Sequence, residues 1–413
     1  MALKIVYPIC CGIGVHKSFV VAVIAHTNDE GITEYIRRRF STFTNNLKEL
    51  AQWLEYHPCF DVCMESTGKY WIPVYNILEA SCNICLAHPK YVKAIRGKKT
   101  DKKDAQWIAD LYKHALVSGS FIPPLKIRQL RDLFRYQMKL TQLQTSEKNR
   151  YQNVLTWSNL QIASVVSDVF GKSAQSMITS ILANPEEPLV FETFLSRAGR
   201  PMKASIEELT LATDCDITTE QANKLRVIKA HFDALTFCKN SLEQLIQELG
   251  QEYEAQQKLV QTVPGFKNPM TALRILSEIG VDMNQFPTVG KLCSWAGVVP
   301  ANNESAGKKF STRISKGGQY LKPLLAQVAN AIVRSEKNPE IRNKYLQLKK
   351  RRGHKKAIMA ICHRLLVAIY HVLKKNKAYN PELYNQVEYV TPNKTITLQE
   401  AARYAQSHGF KIV

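Results

Sequence analysis

The first strongly apolar run is ICCGIGVHKSFVVAVIA, residues 9–25, and the more polar YIRRRFSTF follows at 35–43. Both read as β-strands lying side by side, the first of them apolar enough to be buried. Gly14 interrupts the first of them. A glycine there costs backbone entropy and packs nothing, so it marks a bulge or a close backbone approach. In NNLKELAQWLEY, residues 45–56, the apolar Leu47, Leu50, Trp53 and Leu54 recur at helical spacing and predict an amphipathic helix. A strand over 60–65, a helix over 69–80, a strand over 83–88 and a helix from 101 to 115 follow. Strands first, then strands alternating with helices, predict a mixed sheet in an α/β domain over residues 1–125, closing at Pro123-Pro124.

The pattern then turns helical. Leu130, Leu133, Phe134, Met138, Leu140 and Leu143 form a stripe within 127–160. A second long helix is expected over 219–258, with Leu225, Ile228, Phe232, Leu235, Leu242 and Ile246 on its seam and Lys239 breaking it. Region 126–257 therefore reads as a short coiled coil or helical hairpin, and pairing within the chain or across a dimer both fit the spacing. Residues 259–300 read as short helices joined by tight turns. Val263-Pro264-Gly265-Phe266 fits a plain turn as well as the hairpin of a helix-hairpin-helix phosphate site. A loop, ANNESAGKKFSTRISKGGQ, and further helices to about 376 complete a mainly α-helical C-terminal domain over 258–385. The tail, 386–413, carries one more expected helix, with Thr397 and Glu400 as a capping box and Gly409 beyond its end.

A chain of 413 residues supports two or three such domains. The formal charge of +21 changes the picture, because it calls for a polyanionic partner. Nucleic acid fits better than membrane: no amphipathic anchor accompanies the charge, and no stretch reaches the roughly 18 continuous apolar residues of a span. Without a signal-peptide pattern, and with ten cysteines scattered through apolar segments as reduced thiols are, the sequence points to the cytoplasm. Cys59, Cys63, Cys82 and Cys85 suggest zinc at first sight, but no His completes the usual spacing. The cations are concentrated. Nineteen Lys or Arg lie between Ser305 and Lys377 against only Glu336 and Glu340, which makes a basic face. A second cluster, KYVKAIRGKKTDKK, spans 90–103. Lys98, Lys99, Lys102 and Lys103 in one cluster, and Lys308, Lys309, Arg313 and Lys316 in the other, are the candidate nucleic-acid contacts.

Two carboxylates sit inside the second cluster. Asp101 and Asp104, at i and i+3, share one face at the start of a helix. Taken alone they read first as first-turn acids that cap the helix or complement its dipole, and Glu65 brings in the reading as metal ligands. Glu65 ends the strand FDVCME before a turn into a helix, and strand C-termini are where open α/β sheets collect functional groups. One strand-borne Glu and two helix-borne Asp in a basic domain suit divalent ions held against a phosphate, and hard ions with few carboxylates point to Mg2+.

With these residues in place, the sequence resembles the RuvC-like DEDD transposases of the insertion sequence 110 family. The resemblance rests on GIGVHK, where the family reads Gly-Ile-Asp-Val-x-Lys, and on MESTGKYW, KKTDKKDA, VPGFKNPMTALRILSEIG, SWAGVVP and NNESAGKKFSTRISKGGQYLK, in that order. It implies an RNase H-like N-terminal domain. It implies that Glu65, Asp101 and Asp104 match the second, third and fourth acids, and that position 14 matches the first. That position is Gly14, so the metal-bridging carboxylate is missing and catalysis is expected to be crippled. His16 lies on the same strand face but is not a replacement, since family members carry His or a small residue there beside an intact Asp. The resemblance further implies that Ser305 is the nucleophile of a phosphoserine link, that the acids and Ser305 meet on DNA in a homo-oligomer (dimer or tetramer), and that a structured bridge RNA guides the enzyme. Two alternatives remain: a RuvC-like structure-specific nuclease that uses only the N-terminal acids, and a non-catalytic nucleic-acid-binding relic. Ser305→Ala separates the first from the transposase, and binding without cleavage marks the second.

Overall fold

The computed structural model describes residues 3–66, 68–92, 101–183, 204–301, 303–305, 308–311 and 313–382. The chain forms two compact units. One comprises Met1–Glu252 with Leu273–Gly280, the other Tyr253–Ala272 with Val281–Val413.

The first unit is built on a five-stranded sheet of β1 (Ile9–Val15), β2 (Phe19–Thr27), β3 (Thr33–Ser41), β4 (Asp61–Glu65) and β5 (Asn83–Ala87), in the order β3-β2-β1-β4-β5. β1, β2 and β3 are antiparallel neighbours, whereas β4 and β5 run parallel to β1. The apolar run 9–25 is thus a hairpin, not one strand. His16-Lys17-Ser18 turn the chain, and the His16 N–H donates to the Phe19 carbonyl at 2.9 Å. This turn holds neither Gly nor Pro and is flanked by apolar residues on both sides, so no punctuation announces it.

Alternation divides the sheet into two buried faces. Cys11, Ile13, Val15, Val62 and Met64 face α1 (Thr44–Tyr56) and α2 (Trp71–Leu78), whose Leu47, Leu50, Leu54, Val74 and Leu78 fill that layer. The other face carries Cys10, Ala25, Cys63 and Ala87, covered by α4 (Asp101–Lys113) through Ile108, Ala109 and Tyr112; α3 (Pro89–Val92) adds Val92. Helices on both faces of a mixed sheet agree with the α/β layout expected of residues 1–125.

Beyond the sheet, α5 (Leu125–Trp157) and the helix Thr219–Gly250 are long, about 50 Å each at 1.5 Å per residue. They run antiparallel: Lys126 pairs with Glu252, Gln144 bonds Thr236 and Lys239, and Glu147 meets His231. Lys239, expected to break the seam, instead donates across it to Gln144 Oε1 at 2.8 Å. Buried Tyr151, Val154 and Leu155 join Leu225 and Ile228 at one end, where Lys172–Ala183 and Ile206–Thr213 complete a small core. Arg131 and Arg135 fasten α5 to Glu278, a carboxylate that is 5% exposed.

The second unit is mainly helical, with Leu321–Arg334, Pro339–Arg352 and His354–Lys375 as its largest elements. His354–Lys375 is long and apolar enough to span a membrane, but Ile358, Ile361, Leu365, Leu366 and Ile369 are buried in this unit. Gly265, in the Val263-Pro264-Gly265-Phe266 turn, has φ +87° and presses on Val328 and Ile332, while Val263 and Phe266 are fully buried. Packing therefore accounts for a glycine at that turn. The segment read as a loop at 301–319 contains a two-stranded antiparallel sheet, β6 (Asn303–Ser305) and β7 (Lys308–Ser311). It rests on backbone pairing, continued by the Ala301 N–H to the Arg313 carbonyl at 3.0 Å, so no apolar alternation betrays it. The tail helix expected at 386–413 lies outside the described residues.

Candidate active site

Position 14, Glu65 and the first turn of α4 come together at one corner of the sheet. In the β1–β4 register Gly12 pairs with Cys63 and Ile13 with Met64, so the next level places Gly14 beside Glu65, about 4.8 Å away across the strands. Both follow by two residues a member of the face under α4, Cys63 for Glu65 and Gly12 for Gly14, and so share that face.

Helix α4 descends on the same corner. The Cys10 thiol donates to the Ala109 carbonyl at 3.6 Å, and a Cβ built on Gly12 would stand 2.2 Å from the Ala105 carbonyl oxygen and 2.4 Å from the Ala109 nitrogen. Val21, the cross-strand partner of Gly14, clusters with Ala105. β1 and α4 are therefore antiparallel. Advancing one pleat from Gly12 to Gly14 moves back about one turn along α4, to the first turn that holds Asp101 and Asp104. The two glycines of GIG thus have different causes. Gly12 is where helix backbone lies on strand backbone, whereas Gly14 sits in ordinary extended strand, which any residue adopts.

Glu65 and Asp104 are both half-buried, and Lys103 is exposed. The side chains of Asp101 and Lys102, together with Lys98 and Lys99, lie outside the described residues. Oxygen donors alone suit a hard divalent ion, so the chemistry of the set fits Mg2+. Position 14 adds no donor to it. Among the described residues no three His, Cys, Asp or Glu side chains are grouped to hold a metal. Cys63 and Cys85 pair across β4 and β5, and the sulfur-to-sulfur hydrogen bond and burial push the Cys63 thiol up. Burial likewise raises Cys10 to about 12.

In the second unit Ser305 ends β6 opposite Lys308 on β7. The side chains of Ser305 and Lys309 lie outside the described residues; Lys308, Arg313 and Lys316 are exposed. What anchors this hairpin is glycine. A Cβ on Gly318 would stand 2.0 Å from the Ala296 carbonyl oxygen, one on Gly297 would stand 2.6 Å from the Gly317 carbonyl oxygen, and Lys322 Nζ donates to the Ser315 carbonyl at 2.7 Å. The stretches SWAG and SKGG interlock there, backbone on backbone.

Two features were not resolved in the sequence, one inside the basic face expected between Ser305 and Lys377 and one outside it. Lys349, Lys350, Arg351, Arg352, Lys355 and Lys356, flanking Gly353 and His354, are all exposed where two helices meet. The run KKRRGHKK is visible in the sequence, although that it forms one exposed elbow is not. Arg39 is the other, and only strand register reveals it.

The fold and the acidic corner fit one class of protein, and two family models name it: residues 11–159 match a DEDD-type transposase model, and residues 257–346 match the model described as Transposase IS116/IS110/IS902 family. That class is the transposases. Together the matches span more than half of the chain's length, and the chain belongs to the IS110 family, whose members act on DNA. No curated protein matches it.

Proposed function

We propose that the chain belongs to a DNA strand-exchange system in which Ser305 attacks a phosphodiester while Glu65, Asp101 and Asp104 hold Mg2+ at the same phosphate. The supporting observation is the convergence of position 14, Glu65 and the first turn of α4 on one sheet corner. The sheet order β3-β2-β1-β4-β5 supports an RNase H-like, RuvC-like reading of residues 1–125. The antiparallel pair in 126–257 suits a coiled-coil role in assembling a homo-oligomer, and residues 258–385 would present the serine. In the step itself the Ser305 hydroxyl oxygen bonds to phosphorus, the bond to a deoxyribose oxygen breaks, and the hydroxyl proton ends on that leaving oxygen. Attack by a second strand's hydroxyl on the phosphoserine reverses these changes and frees the serine. A bound Mg2+ supplies charge neutralisation at the phosphate. The exposed cations of the second unit suit DNA and a structured bridge RNA alike, since both present phosphate.

Gly14 favours a second reading for this copy, a binder that occupies nucleic acid without cutting it. The test is a labelled element-end duplex incubated with wild type, Gly14→Asp, and Gly14→Asp carrying Ser305→Ala in Mg2+. A covalent protein–DNA adduct from Gly14→Asp alone supports the proposal. Cleavage that survives Ser305→Ala would establish a nuclease, and equal activity with Gly and Asp at position 14 would remove the role assigned to that residue.

A further inference from the structure

The strand register places one more side chain in line with the acidic corner. Gly14 pairs with Val21, and Val21 pairs with Arg39. Glu65, position 14, Val21 and Arg39 therefore form a single row across four strands, on the face that α4 covers. Neighbours of Arg39 on that face are spent on the helix: Tyr35 donates its hydroxyl to Asp110 at 2.6 Å, and Arg37 donates to Gln106. One pleat further, Arg39 reaches beyond this ladder. Its guanidinium lies 3.8 Å from the centroid of the Phe19 ring, which stacks in turn on His16 at 4.5 Å and 21°. Arg39 is exposed, and no hydrogen bond or ion pair of its guanidinium occurs among the described residues.

An arginine held over an aromatic ring keeps N–H groups available and loses little further entropy on binding. Planar forks match phosphate oxygens in a bidentate manner. Two strand spacings, about 10 Å, separate its backbone from position 14. We infer that Arg39, stacked on Phe19, is a phosphate-binding residue that holds the backbone of a DNA strand beside the phosphate at the acidic corner. The inference rests on the proposed function and extends it to a residue that the family resemblance does not assign.

The experiment is fluorescence anisotropy of a fluorescein-labelled DNA duplex over a salt series, with wild type, Arg39→Ala, Arg39→Lys and Arg38→Ala. Arg38 makes an equal charge change on the opposite face of the same strand, where it lies near Glu49. Arg39→Ala is expected to bind about tenfold more weakly and to lower the slope of log K against log salt by about 0.9, the value for one phosphate contact. Arg39→Lys keeps the slope and recovers only part of the affinity. Arg38→Ala stays at wild-type affinity, and melting curves confirm that all variants fold. If wild type binds DNA and Arg39→Ala is indistinguishable from Arg38→Ala, the inference is wrong and the functional proposal stands. Should wild type fail to bind DNA at all, both fall together.

Discussion

Replacing Gly12 with alanine adds one methyl group, and the structure gives it no room. The new Cβ would lie 2.2 Å from the Ala105 carbonyl oxygen, 2.4 Å from the Ala109 nitrogen and 3.0 Å from the Ala109 Cα. All three are backbone atoms, so no side-chain rotation relieves the overlap. Helix α4 must withdraw by roughly 1 Å, and a gap of that size forfeits a quarter to a half of each dispersion contact it opens. The affected interface is dry: Cys10, Cys63, Ala105 and Ala109 are fully buried. Overpacking costs typically about 1–3 kcal/mol, and backbone-on-backbone overlap places Gly12→Ala near about 3 kcal/mol. For a unit of this size that corresponds to a fall in Tm of roughly 6–12 °C. Gly14→Ala is the internal comparison, because the backbone there is ordinary extended strand. It should melt within about 1 kcal/mol of wild type. Thermal unfolding followed by near-UV circular dichroism measures both. If Gly12→Ala melts with wild type, α4 does not press on β1, and the placement of Asp101 and Asp104 opposite position 14 goes with it.

Other perturbations follow from the same contacts. Glu278→Ala leaves Arg131, whose guanidinium burial lowers to about 10, without its carboxylate, and should cost about 3–5 kcal/mol in urea unfolding; a loss under 1 kcal/mol would refute the pair's role in fastening α5. Gly318→Ala combines φ +68° with a Cβ 2.0 Å from the Ala296 carbonyl oxygen, so it should destabilise the second unit by about 2 kcal/mol or more. Wild-type proteolytic resistance in that variant would show that SWAG and SKGG do not interlock. Burial, with Arg364 near His363 and Lys374 and Lys375 near His371, lowers both histidines below 6.5. The unfolded chain therefore takes up those protons first as pH falls, and stability should drop as pH falls through 6.5 and below. Urea midpoints at pH values on either side of 6.5 test this: His371→Gln should shrink the difference, and a stability that rises on acidification would contradict the assignment.

Helical stripes were the most legible part of the fold. Leu47, Leu50, Trp53 and Leu54 bury together as their spacing requires, and Leu225, Ile228 and Ile246 lie on the seam of the long helix pair. Strand boundaries were harder, since a run buried on both faces lacks alternation, and the hairpin at His16-Lys17-Ser18 disappears inside it. The β6–β7 pair is held by backbone alone, and nothing in its side chains marks it. For the site, residue types and order along the chain picked out Glu65, Asp101, Asp104 and position 14, but adjacency is a matter of register. Only the pairing of Gly12 with Cys63 sets Gly14 beside Glu65, and only two successive pairings put Arg39 in the same row. The motif GIG shows the limit sharply: Gly12 answers to backbone packing and Gly14 sits in ordinary extended strand, and the letters are the same.

The central claim is that position 14, Glu65 and the first turn of α4 enclose one ion pocket. Calorimetric titration with Mn2+ of wild type, Gly14→Asp, and Gly14→Asp with Glu65→Gln tests it most directly. A saturable site that strengthens at least tenfold on Gly14→Asp and is lost again on Glu65→Gln is the predicted result. Identical Mn2+ isotherms for all three proteins would contradict the claim.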